Sequence, residues 1–177
     1  MPLSRRTVLR YGLGGALLLA AGGTGIALRS TVLRRPARPL RMLDEKSFSI
    51  LAAVADRIAP PGGGFPSAAE LQVAEKIDAL LATMHPANTH ELEQALFLLE
   101  NALAGLVFDG RARPFTQLDP AAQDEALRDW QLSRLAVRRK AYVAMHGLCA
   151  AAYYASPAIY PLVGYPGPPD YGNVVPR

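Results

Sequence analysis

From Asp44 to Tyr154 the apolar residues recur at every third and fourth position, in five runs that proline, glycine or a capping side chain cuts apart. That period belongs to helices with one buried face, and no segment alternates in twos over a useful length as a strand would. The chain is therefore expected to be all-α, a compact bundle of about five helices. Leu and Ala dominate a composition that is 50% hydrophobic, which favours helices over strands. There is no internal repeat.

The spacing predicts a first helix over 44–59, capped by Asp44 and ended by Pro60-Pro61-Gly62-Gly63-Gly64. Phe48, Leu51, Ala52, Ala55, Ile58 and Ala59 form its apolar face. A second is expected over 68–84, where Ser67 and Glu70 have capping-box spacing and Pro86 closes the run. Its stripe is Val73, Ile77, Leu80, Leu81 and Met84. The third, over 89–108, opens on Asn88 and Glu91 and ends at Asp109-Gly110. Phe97 and Leu98 widen its Leu92, Leu96, Leu99, Leu103, Leu106 stripe, which marks it as the central helix. The fourth, over 120–132, has Asp119 as cap and Pro120 at its first position, with Leu127 and Trp130 inward. The fifth, over 133–154, buries Tyr142, Met145, Cys149 and Tyr153 and stops at Ser156-Pro157.

The net charge is +4, with a pI near 9.5. Residues 1–43 hold eight arginines and no acid, whereas residues 44–177 hold 11 Lys+Arg against 15 Asp+Glu. The basicity therefore belongs to the N-terminal segment. A mildly acidic body has no electrostatic reason to seek phosphate backbones, so nucleic acid is not an expected partner.

Ser4-Arg5-Arg6-Thr7-Val8-Leu9-Arg10 is a doubly basic start, followed by 18 uncharged residues from Tyr11 to Leu28. A basic region followed by an apolar one is the order of a signal sequence. Ser4, Arg5, Arg6, Leu9 and Arg10 resemble the twin-arginine signal, whose translocase moves folded proteins across the membrane; Val8 departs from it, where Phe is usual. Eighteen residues also just reach the length of a membrane-spanning helix, so an uncleaved anchor stays open beside the signal. The expected organisation is a signal or anchor over 1–28, a basic linker over 29–43, a helical domain over 44–154 and a tail over 155–177. The expected location is the periplasm, with a possible tether to the cytoplasmic membrane.

The search for chemistry finds little. Cys149 is the single cysteine, set among apolar neighbours, and reads as core. No Cys-x-x-Cys-His attaches a haem, and no cysteine cluster holds iron–sulfur or zinc. His85 and His90 lie five apart and lack the helical spacing of a metal pair; they read as exposed loop histidines. Asp56 and Arg57 read as making separate surface contacts. No catalytic, cofactor-binding or metal-binding residue is expected in this chain.

The tail differs from the body. Residues 155–177 contain six prolines, and five of the seven tyrosines lie between 153 and 171. Proline at this density continues neither a helix nor a central strand. Aromatic residues at this density point to a segment pinned on a surface. Two placements are open. Tyr160, Tyr165 and Pro166 dock onto a partner protein, or the tail folds back over the first and fifth helices.

Several stretches, taken in order, resemble the gluconate 2-dehydrogenase subunit 3 family. They are the twin-arginine start, Leu51-Ala52-Ala53-Val54-Ala55-Asp56-Arg57-Ile58-Ala59-Pro60, Phe115-Thr116-Gln117-Leu118, and Tyr153-Tyr154-Ala155-Ser156-Pro157 leading to Val163-Gly164-Tyr165-Pro166-Gly167-Pro168. The resemblance covers most of the chain from 44 to 170. It implies a small subunit beside a large FAD-dependent dehydrogenase of the glucose–methanol–choline type, often with a multihaem cytochrome c as third subunit. It also implies that the small subunit carries the signal for a large subunit that lacks one. FAD then belongs to the partner and haem c to the third subunit, and the resemblance supplies no catalytic residue here. The expected role is non-catalytic: export escort and support. Two alternatives stay open: a free-standing periplasmic enzyme with a diffuse site around Asp56, His146 and the tyrosines, or a membrane-anchored scaffold unrelated to redox work.

Overall fold

In a computed structural model, which describes residues 31–168, six α-helices follow one another: α1 (Glu45–Ile58), α2 (Val73–Leu81), α3 (Pro86–Glu100), α4 (Ala102–Asp109), α5 (Pro120–Gln131) and α6 (Ala136–Tyr154). Short 3-10 turns lie at Phe115–Gln117 and Pro161–Val163. Among the described residues there is no strand, only an isolated bridge between Gly62 and Phe65. The export-signal residues Ser4, Arg5, Arg6, Leu9 and Arg10 lie outside the described residues.

The central helix is α1, not the third predicted one. It packs against α2, α3, α5, α6 and the first 3-10 turn. Asp44 caps it as expected, accepting from the Ser47 N–H at 2.6 Å. Its interior mixes Phe48, Ile50, Leu51 and Val54 with Ser47, Ser49, Ala53 and Ala55, and all eight are buried. The small residues let neighbours approach on nearly every side, so this helix is enclosed although its sequence shows one dominant apolar stripe.

The expected third helix is two. Asn101 takes an extended backbone after α3 and its Oδ1 accepts from the Ala104 N–H at 3.1 Å, so a cap restarts the chain as α4 inside an apolar run. Gly105 then passes so close to the following loop that a Cβ there would meet the Arg111 carbonyl oxygen at 2.8 Å. Leu92, Leu96 and Leu99 are buried, but Phe97 and Leu98 are exposed, so the widened stripe is not core. The start of α3 also differs. His85, not Asn88, is the cap, its Nδ1 accepting from the Ala87 N–H at 3.2 Å, and Pro86 opens the helix.

The second helix begins five residues late. Ser67 and Glu70 make the expected reciprocal bonds, Ser67 N–H to Glu70 Oε2 at 2.6 Å and Glu70 N–H to Ser67 Oγ at 3.1 Å. Gln72 then adopts a left-handed backbone, φ 52° and ψ 46°, and the helix starts at Val73. A non-glycine residue there is held against a conformational cost. Two ties supply the hold: the Ala68 N–H to the Ala59 carbonyl at 3.3 Å, and Arg38 donating to Gln72 Oε1 at 2.8 Å. The fourth helix follows expectation, whereas the fifth starts at Ala136 and leaves Tyr142, expected in its buried line, only half-buried. Asp119 caps α5 through the Ala122 N–H, Leu127 and Trp130 are buried, and Met145, Cys149 and Tyr153 line the core from α6.

Residues 32–43, expected as a plain linker, form a strap bound across α1 and α2. Ser49 Oγ accepts from the Arg34 N–H at 2.8 Å, and Glu75 accepts from the Ala37 N–H at 3.1 Å. Asp78, 3% exposed, takes three consecutive backbone N–H groups from Arg41, Met42 and Leu43 at 2.7, 2.9 and 2.9 Å. Upstream, the Val32 N–H reaches Thr116 Oγ1 at 3.0 Å, and buried Glu100 accepts from the Thr116 hydroxyl and N–H. Carboxylates satisfying backbone donors hold this segment without any secondary structure of its own.

Candidate partner interface

The tail is fastened to the body by one apolar residue. Ile159 is fully buried in the core, and Ser156, also buried, accepts from Lys76 Nζ at 2.5 Å. Beyond this anchor the chain folds on itself. The Tyr160 hydroxyl donates to the Ala155 carbonyl at 3.1 Å, and the Tyr165 N–H returns to the Tyr160 carbonyl at 2.9 Å. The two tyrosine rings meet edge to face, centroids 5.0 Å apart. Tyr160 is therefore half-buried inside the tail, whereas Tyr165 and Pro166 face outward with Leu162 and Val163.

Among the described residues, several concavities lie between the helices. One, about 310 Å³, lies between the turn after α1 and α6, lined by Ile58, Pro60, Phe65, His146, Tyr153 and Tyr154. The Tyr153 hydroxyl donates to the Pro66 carbonyl at 2.7 Å, and burial raises its phenol above the usual range. A second, about 220 Å³, sits under the strap and includes Asp56. Asp56 pairs there with Arg34 at 2.5 Å, while Arg57 faces Asp124 at 3.8 Å, so the neighbours do make separate contacts. Asp56 and His146 thus line different cavities, and a shared site around them is not assembled. The third and largest, about 690 Å³, is an apolar cleft between α3 and α6 whose walls include Leu81, Met84, Leu98, Val137 and Leu148. A further hollow of about 180 Å³ continues it toward Trp130 and Leu135, and Leu98 and Val137 bound both.

Residues 45–167 match the family described as Gluconate 2-dehydrogenase subunit 3. The chain belongs to that family. The name makes it a subunit of an oxidoreductase complex that contains a larger catalytic subunit. No curated protein and no solved structure matches it. The subunit 3 match runs from the first residue of α1 to Gly167, so it takes in Ile159, Tyr160, Tyr165 and Pro166 along with the helices.

The remaining chemistry-bearing side chains of this subunit 3 protein lie as follows. Cys149 is fully buried and burial pushes its thiol up to about 12. His85, exposed in the connection before α3 as expected, caps that helix, whereas His90 sits within it rather than in a loop, Nε2 at 2.8 Å from Gln94. His146 is exposed on α6 with its ring 5.7 Å from that of Tyr142. Among the described residues no cluster of three His, Cys, Asp or Glu side chains could hold a metal, and no helix is long and apolar enough to cross a membrane. Asp109 and Arg138 form a buried bidentate pair at 3.0 and 2.6 Å, with Arg138 5.1 Å from the Trp130 ring centroid and Arg111 bridging Asp109 and Asp129. This network ties the end of α4 to α5 and α6.

The apolar cleft is what the residue pattern did not reveal. Its signal was present: Leu98 lies off the Leu92, Leu96, Leu99 alternation, and Val137 lies off the Met145, Cys149, Tyr153 line. Nothing in one helix says that these outliers face each other.

Proposed function

We propose that this chain is the non-catalytic small subunit of a periplasmic FAD-dependent dehydrogenase complex of the glucose–methanol–choline type. It escorts the flavoprotein through the twin-arginine translocase and stabilises it on the far side. FAD resides in the partner, and a multihaem cytochrome c accepts electrons as a third subunit. The family match over most of the chain carries this reading. The leader residues Ser4, Arg5, Arg6, Leu9 and Arg10 support its export part. The strap supports it too. Its bonds to Ser49, Glu75, Asp78 and Thr116 exist only once α1, α2 and the 115–117 turn have assembled, so a leader joined to it is displayed from a folded body. A pathway that carries folded cargo suits such a display.

Two measurements test this. Changing Arg5 and Arg6 to Lys keeps the charge and removes the specific pair. The chain and its flavoprotein then remain in the cytoplasm; normal periplasmic dehydrogenase activity in that variant refutes the export role. The purified chain is expected to be colourless and inactive, and active when co-expressed with the large subunit. A flavin band from the isolated chain refutes the division of labour.

On the partner side we assign the outward face of the tail, Tyr165 and Pro166 beside Tyr160, to contact with the large subunit. Deletion after Ser156 would remove buried Ile159 and confound folding with docking. The point variants Tyr165→Ser and Pro166→Ser avoid this, because both side chains are exposed. Loss of co-purification at unchanged melting temperature supports docking by the tail, and undiminished co-purification rejects it.

A further inference from the structure

We infer that the cleft between α3 and α6 seats an amphipathic helix of the catalytic subunit, an inference that rests on the accessory-subunit reading above. The cleft is lined mainly by apolar side chains, among them the small Ala95, Ala141 and Ala144 and the larger Met84, Leu98 and Val137. Met84, Leu98 and Val137 are 39%, 37% and 61% exposed. Large apolar side chains lining an open concavity are the mark of a surface that another protein covers.

Its length suits a helix. Asn88 to Leu98 on α3 spans roughly 15 Å at 1.5 Å per residue, and the hollow toward Trp130 and Leu135 extends it. An occupant of about three to four turns would run along it with anchors at every third or fourth position. The two rims differ in charge. Glu91 stands on the α3 side and Lys140 on the α6 side, and neither has an ion-pair partner among the described residues. The fitting helix therefore has an apolar stripe with an acidic edge toward Lys140 and a basic edge toward Glu91.

A second copy of this chain fits less well, because two concave faces brought together leave the space between them empty. The tail of the same chain is already engaged: Tyr160 and Tyr165 pack on each other, and the segment is anchored at Ile159.

The test uses the full chain co-expressed with its flavoprotein. Ala144 is exposed in the cleft, so Ala144→Trp fills the seat without removing a core contact. Val137→Glu places a charge on its wall. Each is expected to weaken binding to the purified flavoprotein by at least about 30-fold, with an unchanged melting temperature. Lys140→Glu, a surface change that leaves the core intact, is expected to weaken it about three- to tenfold at low salt. A photo-crosslinking residue at position 98 is expected to capture the flavoprotein. Wild-type binding with all three variants within threefold of it overturns the cleft and leaves the accessory reading standing. Crosslinks to a second copy, or to residues 1–30 of the same chain, also overturn the cleft. If the wild-type chain does not bind the flavoprotein, the accessory reading falls and the cleft with it.

Discussion

Asp78→Ala is expected to release the strap. In the native protein this carboxylate accepts three N–H groups, from Arg41, Met42 and Leu43. A hydrogen bond to a charged group contributes about 1.5–3 kcal/mol, and a buried donor left unpaired costs a similar amount. Arg41 and Met42 are exposed, so water replaces much of what their donors lose. Leu43 is different: it is buried, and its donor stays dry unless the strap lifts. Lifting it gives up the burial of the Leu43 side chain, about 1.5–3 kcal/mol. Either route costs about 3 kcal/mol. For a chain of this size that lowers the melting temperature by roughly 6–12 °C.

The strap offers its own assay. Arg34 and Arg41 are trypsin sites along it, whereas Arg35 and Arg38 precede Pro36 and Pro39, which block cleavage. In the variant, trypsin is expected to cut there well before it digests the helices, whereas the wild-type strap resists. Asp78→Asn should fall between the two, since its amide turns a donor toward one of the three N–H groups. An Asp78→Ala protein that melts within about 3 °C of wild type, with a strap cut no faster, refutes the clamp.

Ser47→Ala is expected to be neutral or to stabilise by up to about 1 kcal/mol, because the fully buried Ser47 Oγ has no hydrogen-bond partner among the described residues and alanine is the better helix former. Its denaturant midpoint, read at an unchanged slope, checks this; a loss above about 1 kcal/mol means that the hydroxyl is satisfied after all. Native Cys149 is expected to resist a thiol reagent at pH 8 and to label fully in guanidinium; rapid native labelling contradicts its burial. Its folded thiol titrates above the ordinary value of 9.0, so its contribution to stability is complete below pH 9 and is lost as pH rises from there toward about 12. Arg138→Met alone removes the bidentate partner of Asp109, leaving it Arg111 at 3.5 Å, and is expected to cost about 3 kcal/mol, whereas Arg138→Met with Asp109→Leu should recover most of it. Thermal melts of the two proteins decide; equal losses would mean that the charges act independently.

Local chemistry was legible in the residue order. The helical period, the Asp44 and Asp119 caps, the breaks at Pro60–Gly64 and Gly110, and the Met145, Cys149, Tyr153 line depend on neighbours a few positions away. What the tertiary structure decided depends on residues far apart in the chain. Asp78 was one charge among fifteen acids until it met the N–H groups of residues 41–43. Gln72 breaks a well-capped helix because Arg38 and Ala59 hold its surroundings. Ile159 looked like one apolar residue in a proline-rich tail, yet it fills a space that the helices leave. Which helix became central was settled by how many neighbours could approach it, and the small side chains of α1 admit more than the larger apolar stripe of α3. The cleft follows from the same packing, because Leu98 and Val137, 39 positions apart in the chain, acquire a common surface only when their two helices are laid side by side.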